Sequence, residues 1–226
     1  MSYNLCIFDL DGTLTDPKLG ITKSFQYALA YFDIHVELDE LTKFIGPPLR
    51  EAFRDYLLRG LYTFREFSED DTEIAVAKYR EYLADYGIYE NEIYPNILEL
   101  LESLKSLGLT LAVATNKATY FAVKTLEHFD LDKYFSIISG DELDGSLTTH
   151  GKRDIIKIVL DNLDPNKNLS PVMIGDRLND IYGARDAGID SIGVTWGYGS
   201  REELEQAGAT HIIDTPKELE QYLLSN

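Results

Sequence analysis

Short apolar runs at residues 109–114, 135–139, 171–174, 190–194 and 210–213 alternate with helical stretches at 118–128, 152–162, 178–187, 201–207 and 216–224. No other feature limits the fold of this chain as much. A strand buried on both faces reads as a near-continuous apolar run, and parallel neighbours need a crossover connection, usually a helix. The alternation predicts an α/β fold with a Rossmann-like, mainly parallel sheet. A further apolar run over residues 3–8 ends at Asp9-Leu10-Asp11-Gly12 and supplies one more strand.

Between that strand and the others lies a block of different texture. Ile21, Phe25, Ala28, Leu29 and Phe32 recur at the spacing of one helix face. Ala75, Tyr79, Tyr82, Leu83 and Tyr86 repeat the pattern, and Gly46-Pro47-Pro48 reads as a turn and helix start. No strand pattern stands out from about 17 to 88. The block is read as a small all-helical cap domain, residues 17–91, inserted into an α/β core of residues 1–16 plus 92–226. After Tyr94-Pro95, Ile97, Leu100, Leu101, Leu104 and Leu107 form another helix face, with Gly108 as its stop.

Ligands of open α/β sheets bind beyond the carboxyl ends of the strands. Polar residues gather there. Asp9, Asp11, Gly12 and Thr13 follow the first strand, and Thr115-Asn116-Lys117 follow the second. Lys152 stands before a helix, and Gly175-Asp176-Arg177-Leu178-Asn179-Asp180 follows the run 171–174. On these residues the chain resembles the haloacid dehalogenase-like superfamily of aspartate-nucleophile hydrolases, over its whole length and including the helical insert. Asp9-Leu10-Asp11-Gly12-Thr13 resembles the first motif, Thr115 the second, Lys152 the third and the segment 175–180 the fourth. The first and fourth carry the specificity, since a lone Thr or Lys occurs anywhere.

The resemblance implies a phosphatase that hydrolyses a small phosphomonoester through an aspartyl phosphate. Asp9 is the expected nucleophile. Asp11 is the expected acid that protonates the leaving oxygen and then the base that activates water. Lys152 is expected to neutralise the phosphoryl group and Asp9, and Thr115 and Asn116 to hydrogen-bond the phosphoryl oxygens. Carboxylates and a phosphate dianion share a pocket only with cations, and Mg²⁺ suits hard oxygen ligands. Its expected ligands are Asp9, the Asp11 backbone carbonyl and Asp176, with Asp180 as direct or indirect support. Thr115 is also a candidate N-cap for the helix near Ala118, and Asp180 a candidate helix cap.

Gly46-Pro47-Pro48-Leu49-Arg50 resembles the cap segment of phosphoglycolate-phosphatase-like members, which makes Arg50 a candidate for recognising an anionic leaving group. The segment 193–199 resembles the same subfamily, and Trp196 reads as a core or rim aromatic. Dehalogenases lack the second aspartate at the Asp11 position, and β-phosphoglucomutase-like members carry a histidine early in the cap, where residues 17–30 have none. A phosphosugar mutase and a phospho-aspartate signalling module are the alternatives.

Lys plus Arg total 21 against 39 Asp plus Glu, a net charge of −18. Such a surface repels nucleic acid and anionic membranes, so neither is an expected partner. The single cysteine, Cys6, reads as a buried apolar residue in a reducing compartment. No secretory signal or membrane-span pattern is present, so cytoplasm is the expectation. Monomer and homodimer stay equally open.

Overall fold

The computed structural model describes residues 3–61, 66–144, 147, 151–163 and 168–225. In chain order, β1 (Leu5–Phe8) and β2 (Thr15–Asp16) precede four helices: α1 (Lys18–Ala30), α2 (Leu38–Leu41), α3 (Leu49–Leu61) and α4 (Glu69–Tyr82). After β3 (Glu92–Ile93) come α5 (Ile97–Ser106), β4 (Thr110–Ala118), α6 (Thr119–His128), β5 (Ile137–Asp141) and α7 (Arg153–Asp161). The chain ends with β6 (Pro171–Gly175), α8 (Leu178–Ala187), β7 (Asp190–Val194), α9 (Arg201–Ala207), β8 (His211–Ile213) and α10 (Pro216–Ser225). It divides into two compact units, Met1–Asp16 with Ile93–Asn226, and Pro17–Glu92.

The first unit holds a six-stranded sheet in the order β5-β4-β1-β6-β7-β8. Every pairing is parallel, as the strand–helix alternation predicts. Successive side chains of a strand face opposite sides, and the central strands bury both. Cys6, Phe8, Leu111, Val113, Val172 and Ile174 lie in one core with Ile97, Leu101, Ala122 and Leu126 from α5 and α6. Leu5, Ile7, Ala112, Ala114 and Met173 lie in the other with Ile155, Val159 and Ala184 from α7 and α8. Each Leu, Ile, Val, Phe or Met among them contributes roughly 1.5–3 kcal/mol on burial, and together they pin the strand ends. Cys6 is fully buried, and burial pushes its thiol up to about 12.

This core dictates where the polar residues emerge. Phe8 is level with Val113 of β4 and Ile174 of β6, and the Asp9 N–H donates to the Ile174 carbonyl at 2.8 Å. Asp9 therefore leaves β1 beside the end of β6, where Asp176 follows. The sheet order reverses at β1, the switch point where open α/β sheets bind ligands.

Among the described residues the second unit is built from α1 to α4, with only Glu92 of β3 at its edge, and is centred on Phe25, whose ring centroid lies 4.5 Å from Phe53, 5.0 Å from Tyr79 and 5.2 Å from Phe44. Three sequence expectations are corrected. Tyr86 does not share the buried face of α4, because residues Leu83–Gly87 form a π-helical turn that shifts the phase and leaves Tyr86 exposed. Leu107 lies just past the end of α5 and is exposed, with Gly108 at φ +82° closing the helix. Strand β4 runs on to Ala118 instead of ending at 114, so Thr115 cannot cap α6; Ala118 occupies that position.

Candidate active site

Asp9 is almost wholly buried, with 4% exposure, and Asp176 and Asp180 have none. Each of the three offers a carboxylate oxygen, and these oxygens lie within 4.8 Å of one another. Asp9 follows β1 directly, Asp176 follows β6, and Asp180 sits in the first turn of α8, four residues on. One Asp9 oxygen accepts the Leu10 backbone N–H at 2.7 Å, and the other lies 2.8 Å from the Lys152 ammonium. Lys152 also pairs with Asp180 and is itself buried. The other Asp180 oxygen accepts the Arg177 N–H at 2.9 Å, capping α8. The helix-capping and site readings of Asp180 thus coexist.

Three buried carboxylates around one ammonium leave an excess of negative charge. Burial raises Asp176 above the ordinary carboxylate range, and the charges of Asp180 and Asp9 raise it further. Burial also raises Asp180, against the pull of Lys152. Burial alone would lower Lys152, but Asp180 and Asp9 outweigh it and hold the ammonium charged. All donors are hard oxygens in a charge-starved pocket, so the residues fit a divalent metal.

Asp11 emerges from the turn after Asp9. Gly12 makes that turn possible: its φ is +89°, and a Cβ there would stand 2.3 Å from Asp176 Oδ2. Asp11 Oδ1 accepts from the Lys117 ammonium at 2.8 Å, and both side chains are largely buried. Burial raises the Asp11 carboxyl, with Lys117 working against it. Thr115 is 2% exposed in β4 and accepts the Lys117 N–H at 3.3 Å. Asn116 follows it in the same strand.

Arg50 belongs to the second unit. Its guanidinium clamps Glu73 through two bonds, at 2.7 and 2.9 Å. Several site contacts escape sequence reasoning. Lys117 has no role assigned from sequence, and β4 carries it to Asp11. Thr13 donates to Asp176 Oδ1 at 3.3 Å. Tyr198, from a loop far along the chain, donates its backbone N–H to Asp176 Oδ2 at 2.8 Å. Trp196 is more than a rim aromatic, since its indole N–H donates to the Thr13 carbonyl at 3.0 Å.

A parallel sheet whose switch point carries a buried aspartate cluster beside a lysine defines a class of α/β protein built to hold a cation and an anionic ligand at its strand ends. The haloacid dehalogenase-like hydrolase family matches residues 6–194, and the chain belongs to it. A 5′-nucleotidase of Pseudomonas aeruginosa is 42% identical, covering all of this chain and 98% of that one. The tyrosine-protein kinase PtkA of Mycobacterium tuberculosis is 38% identical over 92% of this chain and 68% of its own. A phosphoglycolate phosphatase of Agrobacterium fabrum is 32% identical over 86% and 81%. In three dimensions, a predicted phosphatase from Clostridium acetobutylicum superposes with a TM-score of 0.89 at 44% identity, covering both chains fully. No helix among the described residues is long and apolar enough to cross a membrane.

Proposed function

We propose that the chain is a Mg²⁺-dependent phosphatase that hydrolyses a small phosphomonoester through an aspartyl phosphate on Asp9. It is a phosphoric monoester hydrolase of its family. The observation that carries the reading is the buried group Asp9, Asp176 and Asp180, with Lys152 bonded to two of its members and Asp11 two residues from Asp9. Asp9 and Asp176, with the Asp11 carbonyl and support from Asp180, would hold the metal. Mg²⁺, when bound, supplies positive charge against the phosphate and the carboxylates.

Asp9 attacks phosphorus while Lys152 offsets charge on the phosphoryl oxygens. Thr115 and Asn116 orient those oxygens. Asp11, raised by burial, holds a proton for the leaving oxygen more readily than an ordinary carboxyl does. Having given it up, the carboxylate takes a proton from water, which then releases phosphate from Asp9. We read residues 17–91 as a helical cap that selects the leaving group, which favours a small soluble metabolite.

The test is phosphate release with Mg²⁺ across nucleoside monophosphates, phosphoglycolate, sugar phosphates, pyrophosphate and phosphotyrosine. One substrate well ahead of the rest supports the reading. Silence across the panel from folded, Mg²⁺-loaded protein rejects it in favour of a mutase or a signalling module. Chelation should remove activity and Mg²⁺ restore it; full turnover in EDTA would exclude the metal.

The raised carboxylates also predict a pH effect. A carboxyl raised in the folded state contributes stability that is present below its ordinary value, about 4, and is lost as pH rises through the folded value. The metal-free protein should therefore lose stability from about pH 4 towards neutrality. Mg²⁺ must displace protons from these groups, so it should raise Tm more at pH 8 than at pH 5. An equal Tm shift at both values would contradict the assignment of Asp176 and Asp180.

Arg50 is proposed to read an anionic part of the leaving group, which requires it to exchange its Glu73 partner for substrate. Arg50→Ala should lower kcat/KM for the preferred substrate about tenfold while changing p-nitrophenyl phosphate turnover less than twofold, a loss in line with one charge-assisted contact. Equal losses on both substrates would remove Arg50 from specificity.

A further inference from the structure

The loop at residues 195–200, between β7 and α9, takes no part in the chemistry above, yet it is fastened to the site at three points. The Trp196 indole N–H reaches the Thr13 carbonyl, and the Tyr198 backbone N–H reaches Asp176 Oδ2. The Tyr198 hydroxyl donates to Asp16 Oδ1. Thr13 lies in the turn that carries Asp11, and Asp16 lies in β2 directly after it; the turn is closed by the Gly12 N–H on the Thr15 carbonyl at 2.8 Å and by a bridge between Asp11 and Thr15. The loop thus grips the turn, the strand directly after it and the Asp176 carboxylate. The approach is close: a Cβ on Gly197 would stand 2.3 Å from the Gly12 carbonyl oxygen and 2.4 Å from Asp176 Oδ2. Burial and then the bond to Asp16 hold the Tyr198 phenol well above its ordinary value.

We propose that Tyr198, assisted by Trp196, is a positioning residue that fixes the turn bearing Asp11 relative to the Asp176 carboxylate. The inference deepens the phosphatase reading and rests on it. Proton transfer needs the acid within hydrogen-bond reach of the leaving oxygen, and a displacement of about 1 Å can cost on the order of 10²-fold in rate. Asp176 receives the backbone N–H of the residue whose side chain holds the strand directly after the Asp11 turn. One residue therefore sets the spacing of two carboxyl groups with different tasks.

Tyr198→Phe keeps the ring and the backbone N–H but deletes the bond to Asp16. With p-nitrophenyl phosphate, kcat should fall about 10- to 100-fold. KM and the Mg²⁺ midpoint of thermal stabilisation should each stay within about twofold. Trp196→Phe, which frees the Thr13 carbonyl, should give the same split. Gly197→Ala presses on Asp176 Oδ2 and should move the Mg²⁺ midpoint upward about tenfold or more, by analogy with other changes behind metal ligands. That readout does not depend on turnover. A fall in Tm with unchanged kcat in Tyr198→Phe would make the residue merely structural and overturn the proposal, as would a wild-type Mg²⁺ midpoint in folded Gly197→Ala. If the unaltered protein releases no phosphate, the phosphatase reading fails separately, and the Gly197→Ala titration still decides whether the loop holds Asp176.

Discussion

Asp9→Asn should reduce phosphate release by about 10⁴-fold or more, the scale seen when a covalent nucleophile is removed, while the fold survives. Asparagine has nearly the same shape, and the amide can still accept the Leu10 N–H that Asp9 accepts at 2.7 Å. It cannot form an acyl phosphate, so no residual covalent path remains through this residue. The substitution also removes one of three mutually repelling buried carboxylates, and the Asp9 charge is one cause of the raised Asp176. Lys152 keeps its Asp180 partner. The lost Lys152 contact and the relieved repulsion oppose each other, so the metal-free variant should stay folded with a modest change in Tm, and Mg²⁺ should stabilise it less. Phosphate release together with melting curves checks both halves. Turnover near the parent value would place the nucleophile elsewhere.

Lys152→Met should be the most destabilising single change at the site. Its ammonium lies 2.8 Å from Asp9 and also pairs with Asp180, and the three side chains are 1, 6 and 0% exposed. Removing one member of a buried ion pair leaves charge without a partner and costs about 3–5 kcal/mol. The expected loss at pH 8 is therefore a fall in Tm of roughly 10 °C, taking a few degrees per kcal/mol for a chain of this size. The sign of the pH dependence follows from the carboxylates. Without the ammonium, Asp180 loses the pull that opposes its raised value and is driven further towards the neutral form, so the penalty is small where it is protonated and grows as pH rises. Lys152 itself, already held above its ordinary value, does not lose its proton until strongly alkaline pH, so it adds no slope between pH 5 and 9. The deficit should shrink at pH 5, and Mg²⁺ should restore part of the stability at pH 8 without restoring kcat. A deficit equal at pH 5 and 8 would assign the loss to packing of the lysine stem instead of its charge.

Much of this was legible in the chain because it is local. The apolar runs that end at Asp9 and before Asp176 mark strands, and strand ends in a parallel sheet mark the site. The spacing of Asp176 and Asp180 needs only a helix start between them, and α8 begins at Leu178. Helix ends were less legible. Leu107 and Tyr86 continue an apolar period in sequence, but a glycine stop and a π-helical turn take both out of the buried face. Period alone does not register a turn with one extra residue.

What the sequence determined alone was the fold class and the carboxyl groups at the strand ends, since short-range pattern and motif specify each of them. Only the tertiary structure decided the pairing of charges. Lys117 and Lys152 are equivalent as residue types, yet β4 delivers one to Asp11 and the N-cap of α7 delivers the other to Asp9 and Asp180. Tyr198 meets Asp176 across 22 residues and Asp16 across 182. Such contacts depend on where the packed core places each strand end, and electrostatic pairing, which falls off over a few ångströms in distance and not in sequence, is settled only once that core has formed.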